Sequence, residues 1–197
     1  EHAITYKLSQ SPKTNRIYVA PGNAGISELA TCVDIAVTDI DKLVEFAKNH
    51  QIDFVIVGPE DPLCMGIVDR FIAEGIKAFG PEKAPAQLEG SKAFAKEFMI
   101  RNDIPTARYI KTADINEAKQ AFETMFKSSP HAKAVIKADG LCAGKGVVVA
   151  ESLEQGFAFI TEVLADKIFG ETELVLEEYI EGIEASLLCF VDHNTII

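Results

Sequence analysis

Apolar and polar positions along the first hundred residues alternate between two periods. Ala3, Ile4, Tyr6 and Leu8 fall at helical spacing, and a turn at Ser11-Pro12 separates them from a short strand, Arg16 to Ala20. Cys32 to Val37 follows as a second strand. Asp39 to His50 places Ile40, Leu43, Val44 and Ala47 on one face of an amphipathic helix. Asp53 to Val57 has the composition of a buried strand, Leu63 to Glu74 of a helix and Ile76 to Phe79 of another strand. Strands and helices alternating at this interval predict an α/β fold, a parallel sheet with helices on both faces.

Past Gly80-Pro81 the pattern predicts a helix from Ser91 to Asn102, stopped near Ile104-Pro105. That proline-bearing stretch divides the chain into domains of 1–103 and 104–197. The second half reads strand Ala107 to Lys111, helix Asn116 to Lys127, and strands Ala134 to Ala138 and Val147 to Ala150 around a glycine-bearing loop. Helix Ser152 to Ala165 and strand Glu173 to Glu178 come next. A last strand, Ala185 to Val191, is expected to turn at Asp192-His193-Asn194 into Thr195-Ile196-Ile197.

Composition narrows the function classes. Nearly half of the 197 residues are hydrophobic and a quarter are charged, ample for a core. A balance of 19 basic against 30 acidic side chains, net charge -11, repels a polyphosphate backbone, so nucleic acid is not an expected partner; a mononucleotide, needing few donors, is compatible. Cys32, Cys64, Cys142 and Cys189 are scattered, without a Cys-x-x-Cys pair or neighbouring histidines, and are expected as free thiols in a reducing compartment such as the cytoplasm. No apolar run has the length of a membrane span.

Four elements carry candidate chemistry. In the loop between the strands at Val135 and Val148, Gly140, Gly144 and Gly146 allow positive φ, and Lys137 and Lys145 add charge. The loop is not a Walker A motif: its glycine spacing is one residue short and Lys145 is followed by Gly146. Taken alone it reads equally as an anion cradle or as a glycine-rich hairpin. In the second element, Glu177-Glu178-Tyr179-Ile180 and then Glu184 can offer backbone groups to an adenine edge and a carboxylate to ribose; a solvated glutamate-rich turn is the competing reading. Third, Ser91 is placed to cap a helix with Lys92 in its first turn. Fourth, Gly22-Asn23-Ala24-Gly25 and Gly58-Pro59-Glu60-Asp61 follow parallel strands, where open α/β sheets bind ligands, although glycine, proline and asparagine are also ordinary turn residues.

The ordered set Gly-Asn-Ala-Gly, Gly-Pro-Glu-x-Pro-Leu, Leu-Glu-Gly-Ser-Lys-x-Phe, Lys-Ala-Asp-Gly-Leu-x-Ala-Gly-Lys-Gly-Val and Glu-Glu-x-x-x-Gly-x-Glu-Ala-Ser resembles the glycinamide ribonucleotide synthetases, ATP-grasp ligases also called phosphoribosylamine-glycine ligases. The resemblance implies a Rossmann-like amino-terminal domain followed by an α+β ATP-grasp lobe. It implies Lys92 and Lys137 on ATP phosphates, Gly140 to Gly146, with Lys145, as the flap over them, Glu177 to Ile180 along adenine and Glu184 on ribose. Gly22, Asn23, Gly25, Gly58, Pro59, Glu60 and Asp61 fall on the phosphoribosylamine side. The implied reaction phosphorylates glycine with ATP and magnesium, and phosphoribosylamine attacks the acyl phosphate. No protein nucleophile is required, so no catalytic residue is assigned, and none of His2, His50, His131 or His193 is needed.

The family's glycine-rich start is reduced here to Glu1-His2-Ala3. Its second ATP-grasp lobe, with the magnesium ligands, is expected beyond Ile197. The 197 residues are therefore expected to be a fragment, inactive alone, with an open apolar face. Another ATP-grasp ligase or carboxylase, or a non-catalytic nucleotide-binding module, are the alternatives. Oligomeric state is not set by the sequence.

Overall fold

A computed structural model describes residues 1–192 and 195–197, in two compact units. The first comprises Glu1–Thr106 together with Asp139–Gly146; the second comprises Ala107–Ala138 and Val147–Ile197.

In the first unit, helix α1 (His2–Ser9) leads to strand β1 (Tyr18–Val19), which pairs in parallel with β2 (Thr31–Cys32). The strand expected from Cys32 to Val37 ends early. Val33 N still donates to Val19 O, but Ile35 N turns back onto Val33 O at 2.8 Å, and this three-residue turn takes the chain out of the ladder. Helix α2 (Ile40–Asn49) is capped by Asp39, whose carboxylate accepts from Lys42 N. Strand β3 (Phe54–Ile56) pairs in parallel with β4 (Lys77–Phe79). The parallel pairing is thus present as two separate two-stranded ladders.

The single helix expected between β3 and β4 is two, α3 (Glu60–Met65) and α4 (Ile67–Ala73). Gly66, at φ +91°, ends one and begins the other, a backbone state open to glycine at little cost. Val44 and Ala47 of α2 pack with Ile67, Val68 and Phe71 of α4 as the core of this unit. Helix α5 (Lys83–Gly90) was not anticipated, because Pro85 and Gly90 interrupt its pattern. Pro85 sits in the first turn, where the missing N–H has no intrahelical acceptor to lose. Helix α6 (Lys92–Arg101) follows immediately.

The second unit is a four-stranded antiparallel sheet in the order β5 (Tyr109–Thr112), β8 (Leu174–Glu178), β6 (Ala134–Ala138), β7 (Val147–Ala150). Helices α7 (Ile115–Ser128) and α8 (Leu153–Leu164) pack on it, capped by Asp114 and Ser152. Side chains alternate across the sheet. Ala134, Ile136 and Ala138 of β6, with Leu174 and Leu176 of β8, are fully buried alongside Phe122, Ile160 and Val163 of the helices. The registers Lys137↔Val175, Val135↔Glu177 and Lys137↔Val147 put these residues together on the opposite face.

The strand expected over Ala185 to Val191 is absent. Only Phe190–Asp192 pairs back, through a Val191↔Ile196 bridge and hydrogen bonds between Phe190 and Ile197. Its turn residues His193 and Asn194 lie outside the described residues. Leu187 and Leu188 are almost fully exposed. Apolar periodicity marks a segment fit for a strand, but a ladder also needs a partner.

Candidate functional site

Residues from the glycine-bearing loop, 139–146, fold with the first unit and meet the start of α6. Helix α6 begins with unsatisfied N–H groups, as every helix does. Phe94 N donates to Ser91 Oγ at 3.0 Å, the cap expected from sequence. Ala93 N donates to Asp139 Oδ1 at 3.0 Å, and Ser91 Oγ donates to Asp139 Oδ2 at 2.9 Å. The negative charge favoured at this helix end is therefore the chain's own carboxylate. Lys92 extends to the loop, its Nζ donating to the Gly140 carbonyl at 2.7 Å. Sequence reasoning placed Lys92 and Gly140 in one site and missed Asp139. Its acceptors serve donors 46 and 48 positions away, and no local signal announces such a pairing.

Within the loop, Gly140 and Gly144 have φ of +83° and +78°, with open space where a Cβ would stand. Gly146 does not share this conformation, contrary to expectation; it is buried, and the third left-handed residue is Ala143, at φ +48°. Lys145 is exposed and donates its backbone N–H to Cys142 O at 2.9 Å, closing a tight turn.

On that opposite sheet face of the second unit, Lys137 Nζ lies 2.8 Å from Glu177 Oε1. The Glu177 side chain is 7% exposed and that of Lys137 28%, so the carboxylate is buried while the ammonium retains a path to solvent. Val135, Val147, Val149 and Val175 surround the pair with aliphatic carbon. Glu178 is held differently: Arg108 N and Arg108 Nε donate to its two oxygens at 2.9 and 2.7 Å. Tyr179 packs edge-on against His131 at 5.6 Å, and Lys133 Nζ stands 5.5 Å from its ring centre. The Lys133 ammonium is held above its ordinary pKa by its hydrogen bond to Glu151. Ile180 and Glu184 are exposed, and the chain from Tyr179 to Phe190 forms no helix or strand.

Each of the two turns at the strand ends of the first unit lies against one of the first residues of the chain. A Cβ on Gly25 would stand 3.3 Å from the His2 ring, and one on Gly58 3.5 Å from Glu1 Cγ. Asn23 turns inward, its Oδ1 accepting from Ile26 N at 3.1 Å. Pro59 precedes α3, and Glu60 and Asp61 occupy its first turn, where the helix dipole favours carboxylates. Burial, and then Asp61, Glu60 and Glu89, push the Cys64 thiol pKa up. Sequence reasoning found both turns and missed the part of Glu1 and His2.

Gly22 has φ +78°, and its Cβ would stand 2.4 Å from Cys32 Sγ. Gly22→Ala is expected to destabilise by about 2 kcal/mol, combining left-handed strain with a clash. A lowered urea midpoint at unchanged slope checks this, and adding Cys32→Ala should restore part of the loss.

Among the described residues no group of three or more His, Cys, Asp or Glu side chains is placed to hold a metal ion. None of their helices is long and apolar enough to cross a membrane.

This architecture recurs in solved structures. The biotin carboxylase domain of Hydrogenobacter thermophilus 2-oxoglutarate carboxylase superposes over 91% of this chain and 42% of its own, with TM-score 0.69 at 19% identity, a likeness of fold. The phosphoribosylamine-glycine ligase of Thermotoga maritima superposes over all of this chain and 45% of its own, with TM-score 0.75 at 28% identity. These show the class of fold, that of ligase and carboxylase structures built on the same frame. Sequence comparison narrows it: the phosphoribosylglycinamide synthetase N domain model matches residues 1–89, and the phosphoribosylglycinamide synthetase ATP-grasp (A) domain model matches 90–197. The chain belongs to the phosphoribosylglycinamide synthetase family. It is 48% identical over its whole length to the phosphoribosylamine-glycine ligase of Halalkalibacterium halodurans, covering 45% of that relative, and 46% identical to that of Escherichia coli K12, covering 46%. The chain thus spans just under half the length of these relatives.

Proposed function

We propose that this chain supplies the amino-terminal domain and first ATP-grasp lobe, divided at 103/104, of a cytoplasmic ligase that joins glycine to 5-phosphoribosylamine. The product is glycinamide ribonucleotide, a precursor of purines. The observation that carries this reading is that both family domains tile the chain in order from residue 1 to 197.

The residues fit a nucleoside triphosphate. Gly140 and Gly144 leave the loop backbone uncovered in left-handed geometry, which lets N–H groups converge on a phosphate. Lys92 and Lys145 add charge to that loop. Lys137 presents an ammonium whose Glu177 partner fixes its direction. Val147 and Val149, exposed on the same sheet face, give an apolar bed for a purine, and the strand end from Glu177 to Ile180 lines its edge, with Glu184 on the ribose. Gly22 to Gly25 and Gly58 to Asp61 receive phosphoribosylamine at the carboxyl ends of β1 and β3. The described residues offer no magnesium site.

In this scheme the lysines stabilise charge as the γ-phosphoryl group passes to a glycine carboxylate oxygen, leaving ADP. The flap excludes water from the acyl phosphate, so that the amine of phosphoribosylamine attacks the acyl carbon and inorganic phosphate departs. Positioning and electrostatics suffice, and no side chain acts as nucleophile.

Steady-state ADP release by the intact protein tests the assignment. Omitting glycine or phosphoribosylamine should reduce it to background. Equal turnover with bicarbonate or another amino acid in place of glycine would move the chain to a different ligase or carboxylase.

A further inference from the structure

The start of α6 and the base of the flap are joined by more bonds than a helix cap requires. Ser91 alone satisfies Phe94 N. Asp139 adds acceptors for Ala93 N and for the Ser91 hydroxyl, and the next residue, Gly140, turns its carbonyl to Lys92 Nζ. This arrangement has two consequences. The amino terminus of α6 is already occupied by a carboxylate, so a phosphate meets its first turn through the Lys92 side chain. And the position of that ammonium is set through Gly140, whose carbonyl stands where Asp139 fixes the chain.

We infer that Asp139 is a positioning residue for nucleotide binding: by clamping the base of the flap to α6 it holds the Gly140 carbonyl, and through it the Lys92 ammonium, ready for a phosphate. The inference rests on the assignment of Lys92 and the flap to ATP made above. An ammonium carries three donors, and the Gly140 carbonyl takes one. The remaining two can engage phosphate oxygens without breaking the clamp. A lysine held this way loses less side-chain freedom on binding than one waving in solvent. The local charge balance agrees: Asp139 counters the cation that Lys92 brings to a helix amino terminus.

The test compares Asp139→Ala with Asp139→Asn in the intact protein. Asparagine keeps a carbonyl oxygen that can accept from Ala93 N and Ser91 Oγ; alanine keeps none. Loss of the alanine variant's clamp should raise KM for MgATP about tenfold, the size of one charge-assisted hydrogen bond, with KM for glycine unchanged. The asparagine variant should stay within about threefold of wild type. Hydrogen exchange without nucleotide, read on the amide of Ala93 and on residues 139–146, should quicken in the alanine variant and not in the asparagine variant. Added MgATP should slow exchange of the flap in the wild-type protein.

An unchanged KM for MgATP in a folded Asp139→Ala protein would overturn the inference. So would an equal rise in KM for MgATP and glycine, the mark of a merely destabilised domain. If wild-type flap exchange ignores MgATP, the ATP assignment itself fails. Quickened exchange in the alanine variant would then establish the clamp as structural only, which also overturns the inference.

Discussion

Replacing Lys137 by methionine is expected to lower kcat/KM for ATP by about a hundredfold or more in the intact protein, the scale on which preorganised charges act at transferring phosphoryl groups. Two effects mix in that variant. Lys137 is proposed to meet a phosphate, and it also lies 2.8 Å from the buried Glu177 carboxylate. Removing the cation alone exposes the cost of burying that acid. Because Lys137 is 28% exposed, this is set at about 2 kcal/mol, below the range for fully buried pairs. Lys137→Met with Glu177→Gln separates the two. The double variant should regain most of the stability, measured by urea midpoint, and remain as inactive as the single one. Recovery of activity in the double variant would mean that Lys137 serves only to neutralise Glu177.

Gly156→Ala should destabilise the second unit by about 2 kcal/mol, against the helix-propensity rule. Alanine in place of glycine inside a helix ordinarily gains about 1 kcal/mol. Here a Cβ would stand 2.1 Å from Cζ and 2.2 Å from Cε1 of Phe122. Phe122 is fully buried and packs at 5.7 Å against Phe126 and 5.8 Å against Phe157, so its ring has nowhere to retreat. Overpacking of this kind costs about 1–3 kcal/mol and, at so short a distance, outweighs the propensity gain. A double-mutant cycle with Phe122→Leu, which shortens the obstructing ring, should show coupling of about 1 kcal/mol or more between the sites. Additive losses would place the strain elsewhere.

How far such features could be read from sequence depends on whether their cause is local. Helices α2, α7 and α8 carry both an apolar face and a capping residue directly before the helix, Asp39, Asp114 and Ser152, so their positions follow closely from local sequence. Strands β6 and β7 fall where their β-branched runs lie. Helix α5 was hidden because Pro85 breaks a pattern read residue by residue, whereas its harm depends on which turn it occupies. The division of α3 from α4 turns on the left-handed φ of Gly66, which composition permits without requiring.

The candidate site divides in the same way. Its residue types and order were legible, and carried the family resemblance that the comparisons bear out. Its cross-chain bonds were not. Asp139 on the α6 amino terminus, Glu178 gripped by Arg108, and Glu1 and His2 against the two turns join residues far apart in sequence. Gly146 shows the converse limit: three glycines suggested three left-handed positions, and the backbone gave one of them to Ala143.

The flap and its lysines are proposed to serve a ligase that activates glycine as an acyl phosphate. Turnover of glycine labelled with oxygen-18 in both carboxylate oxygens tests it most directly. Phosphoryl transfer to one carboxylate oxygen, followed by amine attack on the carbon, sends that oxygen out with phosphate. Each phosphate released should therefore carry one labelled oxygen, with the other retained in the amide product. Phosphate free of label, at full product yield, would exclude an acyl phosphate of glycine.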